Sequence, residues 1–151
     1  MNGEMSESEP AVEGRTLRNV AAVALVVGAV AYLTASLRLY DLIAFPGAHF
    51  VVVEFVFFVL PIPAMWIASA VVGLRSERYI AFAAGIAVGL AVWGIATSLG
   101  AIIDGTIGAL QPLALFGSAA GAAGGLLLLV ASARPHAERA LEIAEATSAP
   151  D

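Results

Sequence analysis

Four long apolar runs constrain this chain more than any other feature. They cover about Leu17–Leu37, Ala48–Leu74, Tyr79–Ile103 and Ile107–Ala133. Each reaches the roughly 20 residues that an α-helix needs to cross the hydrocarbon core of a bilayer. Alternating polar and apolar residues of the kind that builds an outer-membrane barrel are missing from all four. Lipid offers no hydrogen bonds to a bare backbone, so helices are the remaining way to span it. The expected fold is therefore all-α, an integral membrane four-helix up-down bundle.

Composition supports this reading. Of the 151 residues, 60% are hydrophobic and 13% are charged, against about 45–50% and about 25% in an ordinary soluble domain. A single soluble core of this size could not hide so much apolar surface. There is no cysteine, which excludes disulfides, thiolate metal sites and thiol redox chemistry. The net charge of −5 argues against a nucleic-acid partner. All seven basic residues are arginine, a bias that fits a GC-rich genome and hints at a halophile.

The runs divide the chain into an acidic leader (1–15), expected to be disordered, a spanning domain (16–134) and an acidic tail (135–151). The leader is too long and too acidic for a typical signal-peptide n-region, so the first run reads as a retained anchor. Arg15 precedes the first run and Arg18 lies at its very start, Arg75 and Arg78 separate the second from the third, and Arg134 and Arg139 follow the fourth; Arg38 stands apart. With four spans, those six fall on one side. The positive-inside rule then places both termini in the cytoplasm, with the protein multi-pass in the cell membrane. Short connections, "FPGA" (45–48), "LRSER" (74–78) and "DGT" (104–106), fit consecutive hairpins. The tail is expected to be a frayed, solvated segment, although "HAERALEIAEA" has the makings of a short helix.

Small residues suggest how the helices pack, since close backbone approach helps association in lipid. Ala81, Gly85 and Gly89 recur every four residues in the third run, and Gly117, Gly121 and Gly125 in the fourth. The two stripes are expected to face each other across the last hairpin; a seam between copies is the competing use. Pro61 and Pro63 are expected to bend the second span near its middle, freeing the carbonyls of Phe57 and Val59.

The second run also carries an acid, Glu54, about six residues or roughly 9 Å below its outer end. Tyr32, Thr34 and Ser36 on the first run and Thr97 and Ser98 on the third come to similar depths, and Gln111 on the fourth falls somewhat shallower. The expected site is this polar layer, with Glu54 pointing inward to hydroxyls or to Gln111 and with Arg38 as a counter-ion. A carboxylate at such depth is costly and is seldom left facing lipid. Asp41, His49 and Asp104 form an outer rim that would attract cations. Three roles compete for Glu54: a buried residue fixing helix register, a proton or cation site in a small transporter or channel, and a contact with a membrane-protein partner.

No HExxH, Walker A, GxGxxG or nucleophile-elbow motif occurs. Histidines placed for a membrane haem are missing as well, so neither catalysis nor a cofactor is expected. The sequence thus predicts a non-enzymatic accessory or scaffolding subunit, with a proton- or cation-coupled carrier as the alternative. Its partners would be the bilayer and either a membrane protein or a second copy of the chain.

Overall fold

The computed structural model describes residues 9–43, 55–105 and 111–148. It consists of helix α1 (Glu9–Ile43), a π-helical turn (Phe55–Val59), and helices α2 (Pro61–Arg75), α3 (Ile80–Ile103) and α4 (Gln111–Ser148). No strand occurs among the described residues. The all-α fold expected from the apolar runs is present, and the contacts between helices fit a bundle.

Three stretches are long and apolar enough to cross a membrane: Val12–Arg38 of α1, Ile80–Ile103, and Gln111–Arg134 of α4. Large apolar side chains face outward along them, including Val23 and Val30 on α1 and Phe82 and Trp93 on α3. A soluble monomer rarely leaves so much apolar surface in contiguous patches, and these helices suggest a membrane protein. Of the fourth expected span, 48–74, the described part is 55–74, a π-helical turn running into α2. α2 has 15 residues, or about 22 Å at 1.5 Å per residue.

The prolines explain that form. At the expected bend, Pro61 opens α2 and Pro63 sits in its first turn. There a missing N–H costs no intrahelical bond. The chain changes helix type at Leu60, and Ala64 N–H donates to the Leu60 carbonyl at 3.3 Å. Wider i→i+5 pairing just before a proline accommodates the carbonyls that the ring would otherwise crowd.

Two further boundaries differ from expectation. The leader is helical from Glu9 onward: Pro10 fits a first turn, and Glu9 and Glu13 lie where the helix dipole favours negative charge. The tail continues α4 through Pro135 to Ser148 as helix, because its Ala, Glu, Arg and Leu residues are strong helix formers.

The helices form a ring. α1 packs on α2 and α4, α3 also packs on α2 and α4, and the backbones of the diagonal pairs stay apart. Two ion pairs fix the relative directions. Arg18 near the start of α1 meets Glu77 between α2 and α3 at 2.7 Å. Glu13, also on α1, meets Arg134 on α4 at 2.9 Å. The start of α1, the α2–α3 connection and the outgoing part of α4 therefore share one end of the bundle, as an up-down ring requires.

The expected facing of the glycine stripes is corrected. Gly85 and Gly89 point outward, with open space where a Cβ would stand. The inner face of α3 is instead the line Ala84, Ala87, Ala91, Gly94 and Ser98, whose alternating spacing of three and four keeps one side of a helix in register. The α4 stripe does pack within the chain, but on three neighbours. A Cβ on Gly117 would stand 2.7 Å from the Tyr32 amide nitrogen of α1, one on Gly121 2.7 Å from the Trp66 ring of α2, and one on Gly125 2.7 Å from Val88 of α3. Gly28 of α1 is the true counterpart of the stripe, its Cβ position 2.7 Å from the Gly117 carbonyl oxygen.

Trp66 fills the centre of the ring and is 0% exposed. Its Nε1–H donates to the Ala87 carbonyl of α3 at 3.0 Å. Its ring lies edge-on to Tyr32 of α1 at 5.7 Å and flat space at Gly121 receives it from α4. One turn further along α2, Ser69 Oγ donates to the Ala83 carbonyl at 3.1 Å. Two side chains of α2 thus bond the backbone of α3, which suits a medium where a free donor has no water to turn to.

Candidate functional site: a polar cavity at the end opposite the arginines

The last turns of α1 and α3 and the first turn of α4 converge at the other end of the ring. A cavity of about 140 Å³ lies there, lined by Tyr32, Ser36, Val59, Thr97, Ser98, Gln111 and Ala114. The helical run of each element brings these residues together. Tyr32 and Ser36 are four apart on α1, and Gln111 and Ala114 three apart on α4, so each pair shares a face.

The lining is polar but neutral. Ser36 Oγ donates to the Tyr32 carbonyl at 2.8 Å. Thr97 Oγ1 lies within donor range of both the Trp93 carbonyl at 3.0 Å and the Gly94 carbonyl at 3.1 Å. A hydroxyl that donates to its own helix keeps its lone pairs free to accept. Ser98 and Gln111 are buried, and the Gln111 amide can both donate and accept. Ser118, fully buried one turn below Ala114, donates to the Ala114 carbonyl at 3.0 Å and rests against Gly94. Since one water takes up about 30 Å³ of liquid, the space has room for a few waters or for one small hydrogen-bonding group.

Of the residues expected in the polar layer, the structure brings Thr97, Ser98 and Gln111 together with Tyr32 and Ser36. Thr34 is left out of the cavity: it is exposed, its hydroxyl bonded to the Val30 carbonyl at 2.7 Å. A spacing of two from Ser36 puts it on another side of α1. Arg38 is exposed at the end of the apolar part of α1. Asp41 lies on the final turns of α1, whereas Glu54 and His49 fall outside the described residues. Asp104 caps α3, its N–H donating to the Gly100 carbonyl at 2.9 Å. Gly105 follows with φ of 64°, a left-handed conformation that glycine adopts freely and that ends helices.

Sequence reasoning missed Val59 and Ala114, the apolar part of the lining, and the central role of Trp66. The line Trp66, Ser69, Ala70, Gly73 on α2, all buried, is the signal that would have found it. No group of three or more residues suited to a metal ion occurs among the described residues. Comparison with protein-family models, curated proteins and solved structures gave no match.

Proposed function

We propose that this chain is a multi-pass protein of the cell membrane, with both termini on the cytoplasmic side, that works without catalysis as a small accessory or scaffolding subunit. The observation that carries this reading is the outward face of α3. Gly85 and Gly89 leave open space there, between Phe82, 71% exposed, and Trp93, 64% exposed. Small residues flanked by large ones form a shallow groove that another spanning helix can enter closely, and close approach is a main source of helix affinity in lipid. Among the described residues, nothing packs within 4 Å of the Cβ positions of either glycine. Substituting leucine at both positions should leave the monomer folded and abolish copurification of its membrane partner, or of a tagged second copy, in mild detergent. Unchanged copurification would refute the subunit reading at this face. Labelling of both termini from the cytoplasmic side tests the orientation.

A second reading has its own support. The neutral cavity adjoins Val59, five residues beyond Glu54 in sequence. The Ser36 and Thr97 hydroxyls, which donate to their own helices and can still accept, suit a hydrated step for a proton or cation near a membrane carboxylate. In proteoliposomes a carrier should lose proton-linked flux on Glu54→Gln while remaining folded; a scaffold should show no flux before or after.

A further inference from the structure

The opposite end of the bundle holds a larger space that the polar layer does not explain. A cleft of about 460 Å³ lies between α1 and the α2–α3 connection, lined by Arg15, Arg18, Asn19, Leu74 and Glu77. Arg15, Arg18 and Asn19 are three and four residues apart, so one face of α1 aims two guanidiniums and an amide at the same volume. One carboxylate opposes two cations, which leaves the lining with a net positive charge. Arg18 is also incompletely satisfied: Nη2 meets Glu77, while Nε is buried with no hydrogen-bond partner among the described residues. Glu77 is attached to the connection rather than to a helix and its side chain is 81% exposed, so it can swing away without disturbing the core.

We propose that this cleft binds a phosphate-bearing anion. Guanidinium forks match the geometry of phosphate oxygens, and two of them with an amide donor supply the charge-assisted bonds such a group requires. The position of the cleft favours a lipid headgroup as the source. Arg15 and Arg18 lie at the end of the apolar part of α1, where a headgroup phosphate would stand. Leu74, 49% exposed, forms the wall on the hydrocarbon side, and Val71, one turn deeper on the same face of α2, is exposed too. An acyl chain can lie along those two residues while its phosphate sits between the arginines. Basic pockets between helices on the cytoplasmic side are suited to this kind of recognition. Glu77 holds Arg18, and the pairing lowers the Glu77 pKa; an entering phosphate competes with that carboxylate.

The test uses the full chain reconstituted in phosphatidylcholine nanodiscs with and without phosphatidylglycerol. After transfer to mild detergent, retained lipid is counted by native mass spectrometry, and a second arm adds glycerol phosphate or inorganic phosphate as competitor. Phosphatidylglycerol should be retained by the wild-type chain and about tenfold less by R15Q or R18Q, the size of one lost charge-assisted contact. E77Q should retain it a few-fold better, because the competing carboxylate is gone. R78Q is the control for bulk charge: Arg78 is on the same connection but its guanidinium lies over the Tyr79 ring, 5.6 Å from the centroid. Competition by soluble phosphate that depends on Arg15 assigns the site to free anions as well; competition by neither leaves the lipid as the ligand. Equal retention by wild type and R15Q, a loss in R78Q as large as in R15Q, or reduced retention in E77Q would overturn the proposal. Because R15Q and E77Q leave the Trp66 core untouched and are expected to act in opposite directions, misfolding cannot mimic the result.

Discussion

Alanine at Gly28 and alanine at Gly85 should have effects of opposite sign, although both replace a glycine in an apolar helix. At Gly28 the new methyl would stand 2.7 Å from the Gly117 carbonyl oxygen and 2.9 Å from the Gly121 nitrogen, both backbone atoms. Ordinary contact begins at 3.4 Å, so α1 and α4 must part by about 0.7 Å. A gap of that size forfeits a quarter to a half of each dispersion contact it opens. Spread over some forty atom pairs at about 0.15 kcal/mol each, the loss is roughly 1.5–3 kcal/mol, in line with the usual cost of overpacking, about 1–3 kcal/mol. The better helix propensity of alanine returns up to about 1 kcal/mol, leaving a net destabilisation of about 1–2 kcal/mol. At Gly85 and Gly89 the methyl meets nothing within 4 Å, so only the propensity gain remains and the change is neutral to mildly stabilising. Unfolding in mixed micelles by titration with a denaturing detergent, followed by tryptophan fluorescence, measures both. If G28A matches the wild type, or G85A is as damaging as G28A, the assignment of inner and outer faces is wrong.

Other consequences are equally direct. Trp66→Phe removes the donor to the Ala87 carbonyl and should cost about 1–2 kcal/mol, whereas Trp66→Ala also empties the centre of the ring and should cost about 3–5 kcal/mol in the same unfolding assay. Breaking the exposed Glu13–Arg134 pair should leave stability almost unchanged in a double-mutant cycle, and any coupling should shrink further at high salt. Glu77 has a pKa lowered by Arg18, so its pairing contributes fully above the ordinary glutamate value and is lost as pH falls through the lowered one. Amide exchange in the α2–α3 connection should therefore be flat from pH 8 to about pH 5 once corrected for intrinsic rates, and should rise below about pH 4. Gln111→Leu should dry the cavity; the amide proton of Ser98 should lose its cross-relaxation to water in micelle NMR, and persistence of that signal would place the water elsewhere.

The helices and their hairpin order were legible because apolar runs of membrane length leave the backbone little choice. Partner identity was not. Periodicity says that Gly117, Gly121 and Gly125 share a side of α4, but that side subtends three neighbours, and nothing local tells Gly117 that it will meet Tyr32. The same limit misplaced Gly85 and Gly89. Alanines at 84, 87 and 91 are small enough to line the inner face themselves, so α3 carries two small-residue faces and only tertiary packing chooses between them. Depth can be counted along helices of known rise: that count put Thr97 and Ser98 level with Tyr32 and Ser36 and Gln111 somewhat shallower, and these five line one cavity. Thr34 missed because depth alone ignores rotation about the axis. The ion pairs join residues 59 and 121 positions apart in sequence, a separation over which no local pattern carries information.

The uninterrupted path of α4 has a mechanical consequence. From Gln111 beside the polar cavity to Ser148 the chain is one helix of 38 residues, about 57 Å along its path at 1.5 Å per residue. Its final 14 residues, 135–148, extend about 21 Å beyond Arg134. Pro135 opens that stretch: its ring takes away the i→i−4 bond to Ala131 and crowds that carbonyl, so the helix can flex there when its apolar part tilts or rotates. Reporters placed on either side of Pro135 would read the posture of the bundle and the bend of this arm separately.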